Sequence, residues 1–286
     1  MGAPLIVLLD NGSLRPAAVR ALRATAQALA ARIGREVVPV SLLHSHKIAA
    51  AELDGVPAPV IEPWLKVQTE AGMREFLVVP YFLGPSRALT EYLPARVAKL
   101  RMSWPDLMVR VAEPLGAGGE GAVDQLAAVL EERVRAELAR VAGGDERPAV
   151  AMVDHGSPEP RVTAVRDAVA ERLQARLGAA VRAVAACSME RREGEEFAFS
   201  DPLLAALLDR APYDRGTVIV AMLFLSPGRH AGPEGDVAVI CREAQVRHSG
   251  LQVTMTELLG GHPVLVAMLA ERLEAALSGG SESGPL

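Results

Sequence analysis

The sequence predicts an α/β protein built from two duplicated lobes, each a four-stranded parallel sheet flanked by helices. Three observations point there. Short aliphatic runs alternate with helical patterns along the chain, which implies parallel sheets covered on both faces. Two sequence frames recur about 144 residues apart. The chain has 286 residues, half of them apolar and only 3% aromatic. That length suggests about two domains with mainly aliphatic cores.

In the first half the strand candidates are Leu5–Leu9, Val37–Leu43, Phe76–Phe82 and Leu107–Val111. Val19, Leu22, Ala26, Leu29 and Ile33 recur at steps of three and four and mark one face of a helix. In the second half the strand candidates are Ala149–Val153, Val181–Ala186, Val218–Leu223 and Leu251–Met255. Helical stripes follow at Val165, Val169, Leu173 and Leu177, and at Leu265, Leu269, Leu273 and Leu277. The polar stretch Gly143-Gly144-Asp145-Glu146-Arg147-Pro148 places the boundary. The lobes are therefore expected at 1–143 and 144–277, with a Gly/Ser-rich, disordered tail at 278–286.

The repeat is visible in its loops. Leu8-Leu9-Asp10-Asn11-Gly12-Ser13 aligns with Met152-Val153-Asp154-His155-Gly156-Ser157. Phe82-Leu83-Gly84-Pro85-Ser86-Arg87-Ala88 aligns with Phe224-Leu225-Ser226-Pro227-Gly228-Arg229-His230, and Glu113-Pro114-Leu115-Gly116 with Glu257-Leu258-Leu259-Gly260. Twice the second copy carries a histidine that the first lacks. The duplication thus predicts one active site, in the second half.

Composition excludes several classes. A net charge of −5 without a basic block argues against nucleic acid. Two cysteines, Cys187 and Cys241, cannot build a disulfide framework or a metal cluster, and they fit a reducing cytoplasm. The N-terminal apolar run is too short for a signal segment, and no stretch nears the roughly 20 apolar residues of a membrane span. The three lysines, Lys47, Lys66 and Lys99, lie in the first half, which removes Schiff-base and phosphate-loop lysines from the second. There is no Gly-x-Gly-x-x-Gly, Walker or Gly-x-Ser-x-Gly pattern. Asp154, His155 and Ser157 crowd one loop, where a hydrolytic triad cannot form.

Ligands of parallel sheets bind at the carboxyl ends of the strands. His155 follows the first strand of its half and His230 the third. With strand order 2-1-3-4 these ends adjoin, about 4.8 Å apart, so the two imidazoles can share one metal ion. Glu190, just after the second strand, can bring a carboxylate from the other side. Two histidines and one carboxylate leave coordination positions open, as a catalytic or transit site requires. The other histidines read more plainly: His262 as the cap of the last helix, His248 as a helix-end residue, and His44 and His46 as loop residues after strand two, with a place facing the interdomain cleft as their alternative.

These motifs together resemble the class II tetrapyrrole chelatases, closest to the sirohydrochlorin cobaltochelatase/ferrochelatase branch. The resemblance covers both halves. It implies two α/β lobes facing across a cleft and insertion of a divalent metal, Co²⁺ or Fe²⁺ with Ni²⁺ also compatible, into sirohydrochlorin or a related tetrapyrrole. The metal is a substrate, and no organic cofactor is implied. His155 and His230 correspond to the family's metal-binding, proton-accepting histidines, and Glu190 to an acidic residue after the second strand. Ser157, Arg229 and Asn11 are the expected substrate-contacting residues, with Arg229 and Arg191 or Arg192 available for substrate carboxylates. Asn11 and Ala88 stand at the histidine positions of the first half, which makes that half a scaffold. Because one chain carries both lobes, a cytoplasmic monomer is expected. The rival expectation is a non-catalytic carrier of divalent metal or tetrapyrrole on the same fold.

Overall fold

The computed structural model describes residues 3–141 and 146–279. The first elements are β1 (Leu5–Asp10), α1 (Pro16–Ile33), β2 (Val37–Ser41), α2 (Ile61–Glu70), β3 (Glu75–Pro80), α3 (Leu93–Arg101), β4 (Met108–Val111) and α4 (Gly119–Arg140). The repeat follows as β5 (Ala149–Asp154), α5 (Pro160–Leu177), β6 (Ala183–Ser188), α6 (Leu204–Leu207), β7 (Gly216–Met222), α7 (Asp236–Arg247), β8 (Leu251–Met255) and α8 (Pro263–Ser278). The strands form two four-stranded sheets, ordered β2-β1-β3-β4 and β6-β5-β7-β8. Every pairing is parallel. All eight expected strands are present, with ends shifted by up to two residues.

Local chemistry explains the elements that carry the loops of interest. Both α1 and α5 open with proline in the first turn, where the missing N–H has no helical partner to lose. In α1 the buried face holds Val19, Leu22, Ala26 and Leu29, as the stripe predicts. In α5, Val169, Leu173 and Leu177 are buried as expected, but Val165 is only half-buried and Arg166 takes the core position beside it. The first sheet packs Val7, Leu9, Phe76 and Val78 against Leu93 and Val97, with Trp64 edge-on to Phe76 at 5.9 Å. The second packs Val153, Val218 and Val220 against Leu204 and Val237. Burying each such side chain contributes about 1.5–3 kcal/mol.

The compact units do not follow the sequence repeats. One comprises the chain up to Gly118 together with the chain from Gly260; the other is Gly119–Leu259. The expected division at 143/144 separates the repeats, but each final helix belongs elsewhere. In the first unit Leu265, Met268, Leu269 and Leu273 of α8 are buried, and Arg272 Nη2 donates to Leu115 O at 3.3 Å. In the second unit α4 packs on α5, where Arg176 pairs with Asp124 at 2.6 Å and Glu131 at 3.0 Å. Thr254 also donates to Glu137 at 2.7 Å there. The expected junction falls partly on residues 142–145, outside the described residues. Residues 280–286 of the expected tail fall there too, whereas Ser278 closes α8 and Gly279 caps it. Among the described residues no helix is long and apolar enough to cross a membrane.

Candidate active site

The carboxyl ends of β5, β6 and β7 gather the candidate residues. β5 ends at Asp154, and the next turn depends on Gly156. Its φ is +91°, and a Cβ there would lie 1.9 Å from Glu190 O. Only glycine allows this approach. The two loops are tied by hydrogen bonds from Met189 N to Asp154 O at 2.8 Å and from Glu190 N to His155 O at 3.2 Å. The tie places Glu190 Oε1 3.5 Å from His155 Nε2. On the other side of β5, the loop after β7 brings His230 edge-on to His155, with ring centroids 4.6 Å apart and an interplanar angle of 80°.

The hydrogen bonds of the two rings set their tautomers. His155 Nδ1 lies 3.0 Å from Gly156 O, and His230 Nδ1 lies 2.7 Å from Asp236 Oδ2. A carbonyl and a carboxylate only accept, so Nδ1 holds the proton in both rings. His230 Nε2 is then left to bind a metal or take a proton, and His155 Nε2 faces the Glu190 carboxylate at 3.5 Å. Asp236 opens α7 and fixes His230 as an outer carboxylate commonly fixes a metal-binding imidazole. Spacing alone does not mark it in the sequence, because it lies six residues beyond His230 at the start of a separate helix.

The other expected residues divide. Ser157 Oγ accepts from Glu159 N at 3.1 Å and turns the chain into α5; Ser13 Oγ does the same for Arg15 N at 3.1 Å in the first repeat. The shared serine therefore serves the turn in both repeats. Arg229 is exposed, with Nε 3.6 Å from Asp236 Oδ2. Arg191 is engaged internally, with Asp201 at 3.1 Å and Gly194 O at 2.8 Å. Arg192 lies over the Phe197 ring at 5.9 Å. Asn11 is exposed on the matching loop of the first unit. His262 caps α8 through Val264 N, and His248 ends α7 paired with Asp209 at 2.8 Å. His44 is exposed, and His46 lines a largely apolar cavity of about 560 Å³ with Leu43, Trp64 and Tyr92.

Among the described residues, no three His, Cys, Asp or Glu side chains already form a metal-holding group. The histidine pair with Glu190 nearby is thus an open donor set. Both cysteines are buried, and burial pushes their thiols up, so they stay protonated and poor as ligands.

The family model described as CbiX matches the chain twice, over residues 5–137 and 149–276. This chain belongs to the CbiX family. No curated protein matches it. Its fold is similar to SirB from Bacillus subtilis with Fe³⁺, at TM-score 0.67 and 16% identity, covering 97% of this chain and 98% of that one. It is also similar to the sirohydrochlorin chelatase SirB from Bacillus subtilis subspecies spizizenii in complex with cobalt, at TM-score 0.65 and 16% identity, covering 96% of each chain. DR2241 from Deinococcus radiodurans, a multi-domain protein with structural similarity to chelatases, matches at TM-score 0.58 and 17% identity. That match covers 95% of this chain and 54% of DR2241. Each half of this CbiX-family chain is thus a family repeat, and the paired histidines occupy the second.

Proposed function

We propose that this protein is a lyase that inserts a divalent metal, Co²⁺ or Fe²⁺, into sirohydrochlorin or a closely related tetrapyrrole. The observation that carries this reading is the pair of imidazoles on adjoining strand ends, each with Nδ1 engaged, and with the Glu190 carboxylate 3.5 Å from His155 Nε2. Membership of the CbiX family and the fold shared with iron- and cobalt-containing SirB support it.

The chemistry follows from the donors. Inserting a divalent metal releases two pyrrole protons. His155 and His230 present the metal, Glu190 completes an open set, and each Nε2 takes a proton as the metal leaves it. A divalent cation departs and two protons arrive, so the charge of the site is unchanged. This exchange needs no redox partner and no organic cofactor. Imidazole and carboxylate donors also accept Ni²⁺. Arg229, exposed beside His230, is placed to pair with substrate carboxylates. With both repeats in one chain and two free, buried cysteines, the protein works as a cytoplasmic monomer.

The test is anaerobic incubation with sirohydrochlorin and Co²⁺ or Fe²⁺, following the macrocycle absorbance. Insertion well above the spontaneous rate is expected. A chain that bound Co²⁺ without accelerating insertion would instead be a non-catalytic metal carrier.

A further inference from the structure

We infer that Arg166 is a positioning residue for the His155–Glu190 pair. It is 2% exposed, on the core face of α5, and its hydrogen bonds go to Asp167, Ser188, Phe199 and Ser200. Nη1 donates to Ser188 Oγ at 2.6 Å and to Ser200 O at 2.8 Å, and Nη2 donates to Phe199 O at 3.4 Å. Nε donates to Asp167 Oδ1 at 2.8 Å. Ser188 Oγ passes the bond on to Asp154 Oδ1 at 2.6 Å, which also accepts from Gly156 N at 3.0 Å. Ser200 Oγ reaches Ser157 O at 3.3 Å. One buried guanidinium therefore clamps three segments: 154–157 with His155, 188–190 with Glu190, and 199–200.

The first repeat shows that the clamp is not needed to form the loop. Gly12 has φ +87°, and its Cβ would lie 1.8 Å from Leu43 O, as Gly156 meets Glu190 O. The same backbone forms there with Leu22, 2% exposed, at the helical position of Arg166. In that repeat Asn11 and Leu43 stand where His155 and Glu190 stand in the second. The cationic clamp accompanies the functional side chains and is missing where they are missing. Its role is thus to hold an imidazole and a carboxylate, which arrive on separate loops, at one separation. A fixed fork with several donors suits this task; a lysine ammonium lacks the planar geometry.

The inference rests on the proposed function for its kinetic readout only. The experiment compares wild type with Arg166→Leu, Arg166→Lys, Glu190→Ala and the Arg166→Leu/Glu190→Ala double variant. It measures melting temperature, Co²⁺ affinity and visible spectrum of the protein alone, and kcat and KM for insertion into sirohydrochlorin. Arg166→Leu should lower kcat/KM by about 10–100-fold, the range for groups that orient ligands, chiefly through kcat. Its Co²⁺ spectrum should approach that of Glu190→Ala, and Arg166→Lys should recover part of the loss. The double variant should lose less than the product of the single losses, as coupled residues do. If Arg166→Leu does not fold, Ser188→Ala breaks the link to Asp154 and should lower kcat with KM unchanged. Wild-type kcat and spectrum in the folded variant, or losses that multiply, would overturn the inference. Should wild type insert no metal, the functional reading fails, and the inference stands or falls on the Co²⁺ spectra of wild type and variant.

Discussion

The loops after β1 and β5 share a backbone and differ in almost every side chain that matters. Both have a left-handed glycine against the carbonyl of the neighbouring loop and a serine turning into the next helix. Around that frame, Asn11, Leu22, Leu43 and Ala88 stand in the first repeat where His155, Arg166, Glu190 and His230 stand in the second. In the first repeat Leu43, at the position of Glu190, lines a largely apolar cavity with Leu42 and Trp64. The comparison teaches that the loop frame belongs to the fold, and that the side chains proposed for the chemistry and its positioning are a separate layer laid on it.

The largest effect should separate the two layers directly. His155→Ala and His230→Ala should each reduce metal insertion by more than about 100-fold, since each removes a donor that also accepts a proton. Melting should change little, because both residues sit on strand-end loops outside the core. Near-normal turnover in either variant would break the assignment of the site to the second repeat.

Next comes the partner of His230. Asp236→Ala removes the acceptor 2.7 Å from Nδ1. The ring is then free to rotate and change tautomer, so Co²⁺ affinity and kcat should fall by about 10-fold or more. Titration of the variant with Co²⁺ checks this. An unchanged affinity would show that the loop alone orients His230.

Much of this comparison is legible in the sequence. The aliphatic runs mark all eight strands, because a parallel strand buried on both faces must be apolar along its length. The repeated frames give the duplication and the paired histidines, and the strand order 2-1-3-4, a supposition at that point, is the order of both sheets. Three features are not legible, for physical reasons. Arg166 is one arginine in an arginine-rich chain, and only its alignment with Leu22 betrays a core position. Asp236 acts across a loop whose path sequence spacing does not reveal. The helices that complete each compact unit are chosen by tertiary packing, and the stripe of Leu265, Leu269 and Leu273 does not say which sheet it covers.

The buried aspartates sharpen the comparison through pH. Asp10 is 8% exposed, and its Oδ1 has no hydrogen-bond partner. Burial lifts its pKa from the ordinary 3.8 to about 6, against the opposing hydrogen bond from Ser41. Burial also raises Asp154, but Ser188 and the Arg166 charge oppose the rise. A carboxyl raised in the folded state is harmless below its unfolded pKa, where it is protonated in both states. It weakens the fold as pH climbs through the folded value. For Asp10 the penalty at neutral pH is roughly 3 kcal/mol. Asp10→Asn should therefore stabilise the chain at pH 7 by up to about that amount, with the gain fading as pH falls from 6 towards 4. Asp154→Asn should bring a smaller gain, because the Ser188 hydrogen bond and the Arg166 charge already offset part of the burial penalty. Denaturant melts of both variants across this pH range measure the contrast. Equal responses would mean that Arg166 does not distinguish the repeats.

The smallest expected effect lies in the first repeat's own loops. Asn11 is exposed where His155 stands in the second repeat, and its side chain offers an amide that neither binds a divalent metal strongly nor takes a proton near neutral pH. Arg87, aligned with Arg229, is exposed and meets Glu91 at 3.6 Å. Exposed pairs of this kind contribute about 0–1 kcal/mol. Asn11→Ala and Arg87→Ala should therefore leave the fold intact and lower kcat/KM by less than about threefold, which corresponds to well under 1 kcal/mol. Steady-state insertion assays on both variants, beside His155→Ala, measure the gap. A loss in Asn11→Ala close to that of His155→Ala would place the first repeat inside the chemistry. The division between a frame shared by both loops and a reactive layer confined to one would then have to be abandoned.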